Sequence, residues 1–197
     1  MTATTDGSAS GAEPALRHSV RNSLVDSERG YALEPDRLSW SEKKGHGSVA
    51  YAEIASVQLI GYAGSGGGQY QATIRRGNGK PIKIRSHHYV SLGNFEDRGE
   101  SYAPFIRELC RRIAASAPKA RFLSGSTYLW IIWLVVALLM ALVAILAVSA
   151  AYLPGAPALP AFLVLLAGAP LIWREARKGP KTTFDPKDPP PELLGGN

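Results

Sequence analysis

Between Arg121 and Arg174 the chain carries no charged residue. The heart of that block, "YLWIIWLVVALLMALVAILAVSAA" from Tyr128 to Ala151, spans about 36 Å as an α-helix, enough to cross a hydrocarbon core of about 30 Å with some tilt. A helix buried in a soluble domain is the competing reading, but uncharged runs of this length belong to membranes. Tyr128, Trp130 and Trp133 stand at one end and Tyr152 at the other, the depths at which amphipathic rings prefer lipid headgroups. Whatever folds in water must therefore come from the residues on either side.

A second apolar run, "LPAFLVLLAGAPLIW" from Leu159 to Trp173, gives only about 22 Å of helix. Alone it would suit a re-entrant or interfacial segment. Pro160, however, fits the first turn of a helix, and the pattern continues through "REARK" to a stop at Gly179 and Pro180. Trp173 adds an interface anchor, Arg174, Arg177 and Lys178 can snorkel outward, and Gly168 with Pro170 predicts a kink. Charge parity decides between the two readings. Arg111, Arg112, Lys119 and Arg121 precede the first run, Arg174, Arg177, Lys178 and Lys181 follow the second, and the proline-rich linker between has no charge. Basic flanks stay cytoplasmic, which requires an even number of crossings. The expectation is a hairpin: a first span over 126–153, an external loop over 154–158, a second span over 159–178, and both termini cytoplasmic. That makes a multi-pass plasma-membrane protein.

The net charge of +6 is not concentrated as a nucleic-acid footprint. Residues 1–121 hold 17 Lys/Arg against 12 Asp/Glu, and residues 174–197 hold 5 against 4, so the excess is modest and spread beside the uncharged block. No nucleic-acid partner is expected. A single cysteine, Cys110, excludes an intramolecular disulfide, and its place on the apolar face of a helix reads as a buried thiol. Residues 1–16, opening "MTATTDGSASGAEP", have no apolar stretch, so a disordered lead-in is expected rather than a cleaved secretory signal. The tail over 179–197 is proline-rich and extended. It serves either as a docking peptide or, through Phe184, Leu193 and Leu194, as a segment folded back on the soluble domain.

Residues 30 to 100 alternate with period two. Leu38 and Trp40, Val49 and Tyr51, Val57 and Leu59, Tyr70, Ala72 and Ile74, then Ile82 and Ile84 each line one face of a strand, the pattern of antiparallel sheet packed on one side. "KKGHG", "AGSGGG" and "GNG" are the turns. In "ESYAPFIRELCRRIAASAP" the period changes: Ile106, Leu109, Cys110, Ile113 and Ala117 recur at helical spacing, Pro104 is placed in the first turn and Pro118 ends the element. So short a sheet needs that helix to cover its core.

The strand "LEPDRLSW", the segment "VAYAEIASVQL", the hairpin "YQATIRRGNGKPIKIRS" and the helix "YAPFIRELCRRI" together resemble the pleckstrin-homology-like fold, as found in small bacterial membrane proteins that join such a domain to transmembrane helices. The resemblance implies an α+β class: an antiparallel β-meander or partly open barrel with a C-terminal amphipathic helix, over 17–120, followed by the transmembrane hairpin. It also implies a bacterial inner-membrane location.

No residue grouping declares chemistry. "GYAGSGGGQY" lacks the lysine and the following helix of a phosphate loop. His87 and His88 point to opposite faces of a strand, and His18 and His46 have no ligand partners at zinc spacing. No catalytic residue, metal or cofactor is expected. Lys83 and Arg85 share a strand face with Arg75 on the neighbouring strand, and Lys43 and Lys44 follow the first strand of the set. These five are the candidate contacts for an anionic surface. In the resembled fold the Lys43 loop is where inositol phosphates bind, but "SVAYAEI" lacks the further basic residue that completes the cage, which argues against phosphoinositide. The function expected is non-enzymatic: a membrane-anchored domain mediating protein or membrane-surface interaction, with a protein partner or homo-oligomer. The alternatives are an accessory or sensing subunit of a transporter or envelope complex, and a membrane-tethered enzyme using the histidine pair.

Overall fold

The computed structural model describes residues 16–43, 45–64, 67–151, 168–170, 172–174, 177 and 179–195. The chain is α+β, and its strands pair almost entirely antiparallel. Strands β1 (Arg17–Val20), β2 (Arg29–Leu33), β3 (Arg37–Glu42) and β4 (Gly45–Ala50) form a meander in the order β1-β2-β3-β4. A single 3-10 turn, Tyr51–Glu53, leads into β5 (Ile54–Gly64). Next come β6 (Gly67–Arg76) and β7 (Ile82–Arg85), and then a separate hairpin of β8 (His87–Ser91) and β9 (Asn94–Asp97).

Helix α1 (Gly99–Ser116) covers the core. Its N-cap, Arg98, makes no side-chain cap bond, while the Asp97 carboxylate accepts the Gly99 N–H at 2.9 Å, and Pro104 lies inside the helix rather than in its first turn. Tyr102, Phe105, Ile106, Leu109, Cys110 and Ile113 project from it into a core shared with Val20, Tyr31, Leu33 and Leu38 of one sheet and Val57, Leu59, Ala72, Ile74 and Ile84 of the other. Each buried Val, Leu, Ile or Phe among them contributes roughly 1.5–3 kcal/mol by leaving water. Burial pushes the Cys110 thiol up to about 12, so it is an unreactive core group.

Polar ties lock the layers. Arg112 donates to the Glu34 carbonyl at 2.7 Å, fixing α1 against the end of β2, and Glu108 holds that guanidinium in place. Hydrogen bonds from Arg111, followed by those from Arg112, lower the Glu108 carboxyl to about 2. Thus Arg111 and Arg112, expected as topology signals, also belong to the domain's packing. Deeper still, His18 is 2% exposed and joins three elements. Its Nε2 hydrogen-bonds the Arg85 carbonyl at 2.8 Å and its Nδ1 the Ser101 hydroxyl at 2.9 Å, and that hydroxyl also lies 3.1 Å from the Arg98 carbonyl.

The domain does not stop at residue 120. β10 (Arg121–Ser124) adds parallel to β5, and β11 (Thr182–Thr183) adds to β10, giving the order β11-β10-β5-β6-β7. Arg121, expected as a flank of the membrane run, is therefore a strand residue paired with Ser56. The tail folds back: the Phe184 ring meets Phe122 edge-on at 5.8 Å, Leu193 packs against the core, and Leu194 is wholly buried. Apolar burial accounts for this, since Phe122 of β10 meets Phe184 and is 7% exposed.

From β10 the chain turns at Gly125, whose φ of +75° suits glycine, into α2 (Thr127–Ala151). Among the described residues this is the one helix long and apolar enough to cross a membrane. Tyr152, the loop over 154–158 and most of 159–178 lie outside the described residues. The parts that are described, 168–170, 172–174 and 177, are helical. A Cβ on Gly168 would stand 3.0 Å from Met140 Cε, and the Lys181 N–H donates to Thr127 Oγ1 at 3.4 Å. The chain is thus back at the foot of α2 when β11 begins.

Two outcomes follow from this packing. Leu194→Ala should destabilise the folded domain by about 2–5 kcal/mol, the range for a fully buried leucine, read by thermal or denaturant unfolding of the full chain. Burial keeps the His18 imidazole below its ordinary pKa against the opposing Arg85 hydrogen bond, so the folded state prefers the neutral ring. Stability is then full above the unfolded value of about 6.5 and declines as pH falls below it. The thermal midpoint of His18→Gln should fall less steeply than that of the unsubstituted chain between about pH 7 and pH 5.

Candidate functional site

The outer face of the five-stranded sheet is polar. Register places Arg121, Ser56 and Arg75 in one row, Gln58, Thr73 and Lys83 in the next, and Gln71 with Arg85 in a third. Ser56, Gln71 and Thr73 are buried between their neighbours, and Gln71 Nε2 donates to Thr73 Oγ1 at 3.1 Å. Arg75, Lys83 and Arg121 are exposed. No carboxylate pairs with these three among the described residues. Arg85 is half-buried, donating to Gln71 Oε1 and to the Asn22 carbonyl, each at 3.1 Å. The structure therefore brings together Arg75, Lys83 and Arg85 of the candidate set and adds Arg121. Lys43 is elsewhere, exposed on the β3–β4 turn of the other sheet, and Lys44 lies outside the described residues.

Through Asn22 the basic face borders the loop between β1 and β2, and a single arginine organises that loop. Arg21 donates from Nε to the carbonyls of Ser23 and Asp26 and from Nη2 to that of Leu24, at 3.2, 3.0 and 2.7 Å. The same guanidinium sits 5.7 Å from the Tyr89 ring centroid. The Arg21 backbone completes the link: its N–H donates to His88 Nδ1 at 3.2 Å, and its carbonyl accepts the Tyr89 N–H at 2.8 Å. The loop and the β8–β9 hairpin are thereby held as one unit. That unit carries Leu24 at 68%, Val25 at 92%, Val90 at 49% and Leu92 at 96% exposure. Outside α2 and Trp173, these four are the exposed large apolar side chains among the described residues. Lys43 shares an open cleft with Arg21, Val25 and His88.

His87 and His88 diverge as strand geometry requires. His87 is buried beside the Ser86 hydroxyl at 2.8 Å, and His88 serves the Arg21 N–H. No group of His, Cys, Asp or Glu placed to hold a metal occurs among the described residues. The glycine-rich stretch joins β5 to β6 as an antiparallel hairpin.

At the membrane end, Tyr128 is exposed while Trp130 and Trp133 are half-buried. Trp173 is 62% exposed, with the Arg177 guanidinium 4.5 Å from its ring centroid. Lys119 is exposed in the turn before β10, Arg174 lines a cleft beside α2, and Lys178 lies outside the described residues. Sequence reasoning missed the role of Arg21 and the exposed tips it supports. A basic residue next to a short apolar pair, "RNSLV", is the only trace it leaves.

No protein-family model matches the chain, and no curated protein or solved structure matches it.

Arg21→Ala removes three carbonyl contacts and the stacking on Tyr89. Amide exchange over 21–27 and 88–95 should rise by at least tenfold, with a stability cost of about 1–3 kcal/mol, while exchange in α1 relative to global unfolding stays unchanged.

Proposed function

We propose that this chain is a non-enzymatic membrane protein whose α+β domain, of pleckstrin-homology-like build, works as an interaction or assembly module at the cytoplasmic surface, anchored by a two-helix hairpin. The observation that carries the reading is the set of apolar tips, Leu24, Val25, Val90 and Leu92, held out on loops braced by Arg21. Large side chains left in water on an ordered scaffold mark a contact surface. The basic face with Arg75, Lys83, Arg85 and Arg121 adjoins it through the Arg85 contact to Asn22. Together they suit a partner surface that is apolar at its centre and acidic at one side.

Two features support the hairpin. Gly168 lies beside Met140, and Lys181 is back at Thr127. A chain that leaves through a bilayer and returns to its starting point crosses an even number of times. Basic residues at both feet, Arg111, Arg112, Lys119 and Arg121 before and Arg174, Arg177, Lys178 and Lys181 after, make that side cytoplasmic. The pleckstrin-homology-like build is supported by two antiparallel sheets closed by α1, with β10 and β11 as additions at one edge.

A photo-crosslinking residue at Val25 or Leu92, tested in native membranes, should give discrete crosslinked species that the same residue at Asn78, in the β6–β7 turn, does not. Equal labelling at all three positions removes the module reading. In intact cells, a cysteine at Ala156 should react with an impermeant maleimide and one at Lys187 should not. Reaction at Lys187 removes the hairpin.

A further inference from the structure

The unit braced by Arg21 displays Leu24 and Val25 on the β1–β2 loop and Val90 and Leu92 on the β8–β9 hairpin. Among the described residues of the domain, every other large apolar side chain is buried or half-buried. Residues 2–15, "TATTDGSASGAEPA", hold no large apolar residue. The surroundings of the tips carry opposite charge on two sides. Ser19 alternates with the buried His18 and Val20, so it points out of the four-stranded sheet. Its hydroxyl donates to the Glu28 carboxylate at 2.9 Å, and Arg98 donates to Glu28 at 3.3 Å and to Glu96 at 3.2 Å. Asp26 joins Glu28 in the open cleft beside Val25, with Lys43 in the same lining. Carboxylates therefore border the tips from the outer side of this sheet. From the outer face of the other sheet come Lys83 and Arg85, the latter through its bond to the Asn22 carbonyl.

We infer that the partner of this surface is a second copy of the chain, meeting it tips to tips about a two-fold axis. The inference rests on the reading of the tips as a contact surface on a membrane-anchored domain. A surface that is apolar at its centre, acidic on one side and basic on the other complements itself under a two-fold rotation. Each copy's Lys83 side then faces the other's Asp26 and Glu28 side, and the contact occurs twice per pair. Because α2 holds both copies in one membrane, equal surfaces stand at equal height. Four aliphatic side chains fall short of the about 800 Å² per partner that a stable soluble dimer buries. Confinement to one membrane makes up the difference by raising the effective concentration of each copy around the other.

The test places Leu92→Cys in the full chain, oxidises native membranes and reads disulfide-linked pairs by mass under non-reducing conditions. Cys110 is buried and its thiol is pushed up to about 12, so the introduced thiol reports alone. The expected result is a species of twice the chain mass, well above the yield from Asn78→Cys in the β6–β7 turn. In the Leu92→Cys chain, Lys83→Glu or Asp26→Lys alone should lower that yield by about fivefold, as the loss of two exposed ion pairs would. Coexpression of the two reversed chains should restore it in mixed pairs, because each reversed side then meets its opposite. A yield no greater than at Asn78, a yield unmoved by either reversal, or mixed pairs no more abundant than the reversed chains form alone each overturns the inference. Photo-crosslinking at Val25 separates it from the underlying reading. Discrete species whose masses are not multiples of the chain refute the second copy and leave the contact surface standing, whereas the absence of any discrete species removes both.

Discussion

The pairing of β11 with β10 is the constraint on which the rest of the molecule depends. Because β10 feeds directly into α2 and β11 follows the returning chain, two residues of strand at Thr182 and Thr183 bring both feet of the apolar block to one sheet edge. The long excursion between them is topologically a loop inserted into a domain. Its entropic cost of closure grows only slowly with length. The short pairing is backed by Phe184 on Phe122 and by the burial of Leu194, so apolar area adds to the backbone bonds that hold the edge.

Around that edge the domain has three further locks. Arg112 ties α1 to β2, His18 ties β1 to β7 and α1, and Arg21 ties the β1–β2 loop to the β8–β9 hairpin. Each uses one polar side chain to bond groups from separate elements, and so each matters more as geometry than as net stabilisation. The Arg21 lock differs from the other two because what it orders is surface. It fixes apolar tips in water, and the contact surface proposed above rests on that exposure.

Much of the fold was legible beforehand. Alternation of Val57 and Leu59 with Ser56 and Gln58, or of Ile82 and Ile84 with Lys83 and Arg85, identifies strand faces because a strand has a period of two whatever it pairs with. The spacing of Ile106, Leu109, Cys110 and Ile113 identifies α1 for the same kind of reason. The grouping of Arg75 with Lys83 and Arg85 was equally readable, since a short hairpin sets its own register. Lys43 was not separable from that group by sequence, because no local pattern says that β3 and β4 pair in a different sheet from β6 and β7. Pro104 was read into the first turn of α1 because the periodic stretch does not mark the helix start, which lies at Gly99 beside Asp97.

What the sequence determined by itself is local and periodic: a helix long and apolar enough to cross a membrane, an amphipathic helix, strands with one apolar face, and basic residues on both flanks of the apolar block. These follow from rise per residue, from period, and from the cost of charge in lipid. Tertiary structure alone decided that the proline-rich tail completes the sheet, that Arg121 is a strand residue, that His18 is a buried joint, and that Arg21 displays four apolar tips. Each of those joins residues far apart in the chain, and no local pattern encodes a contact whose energy comes from surfaces that meet only after the chain has closed.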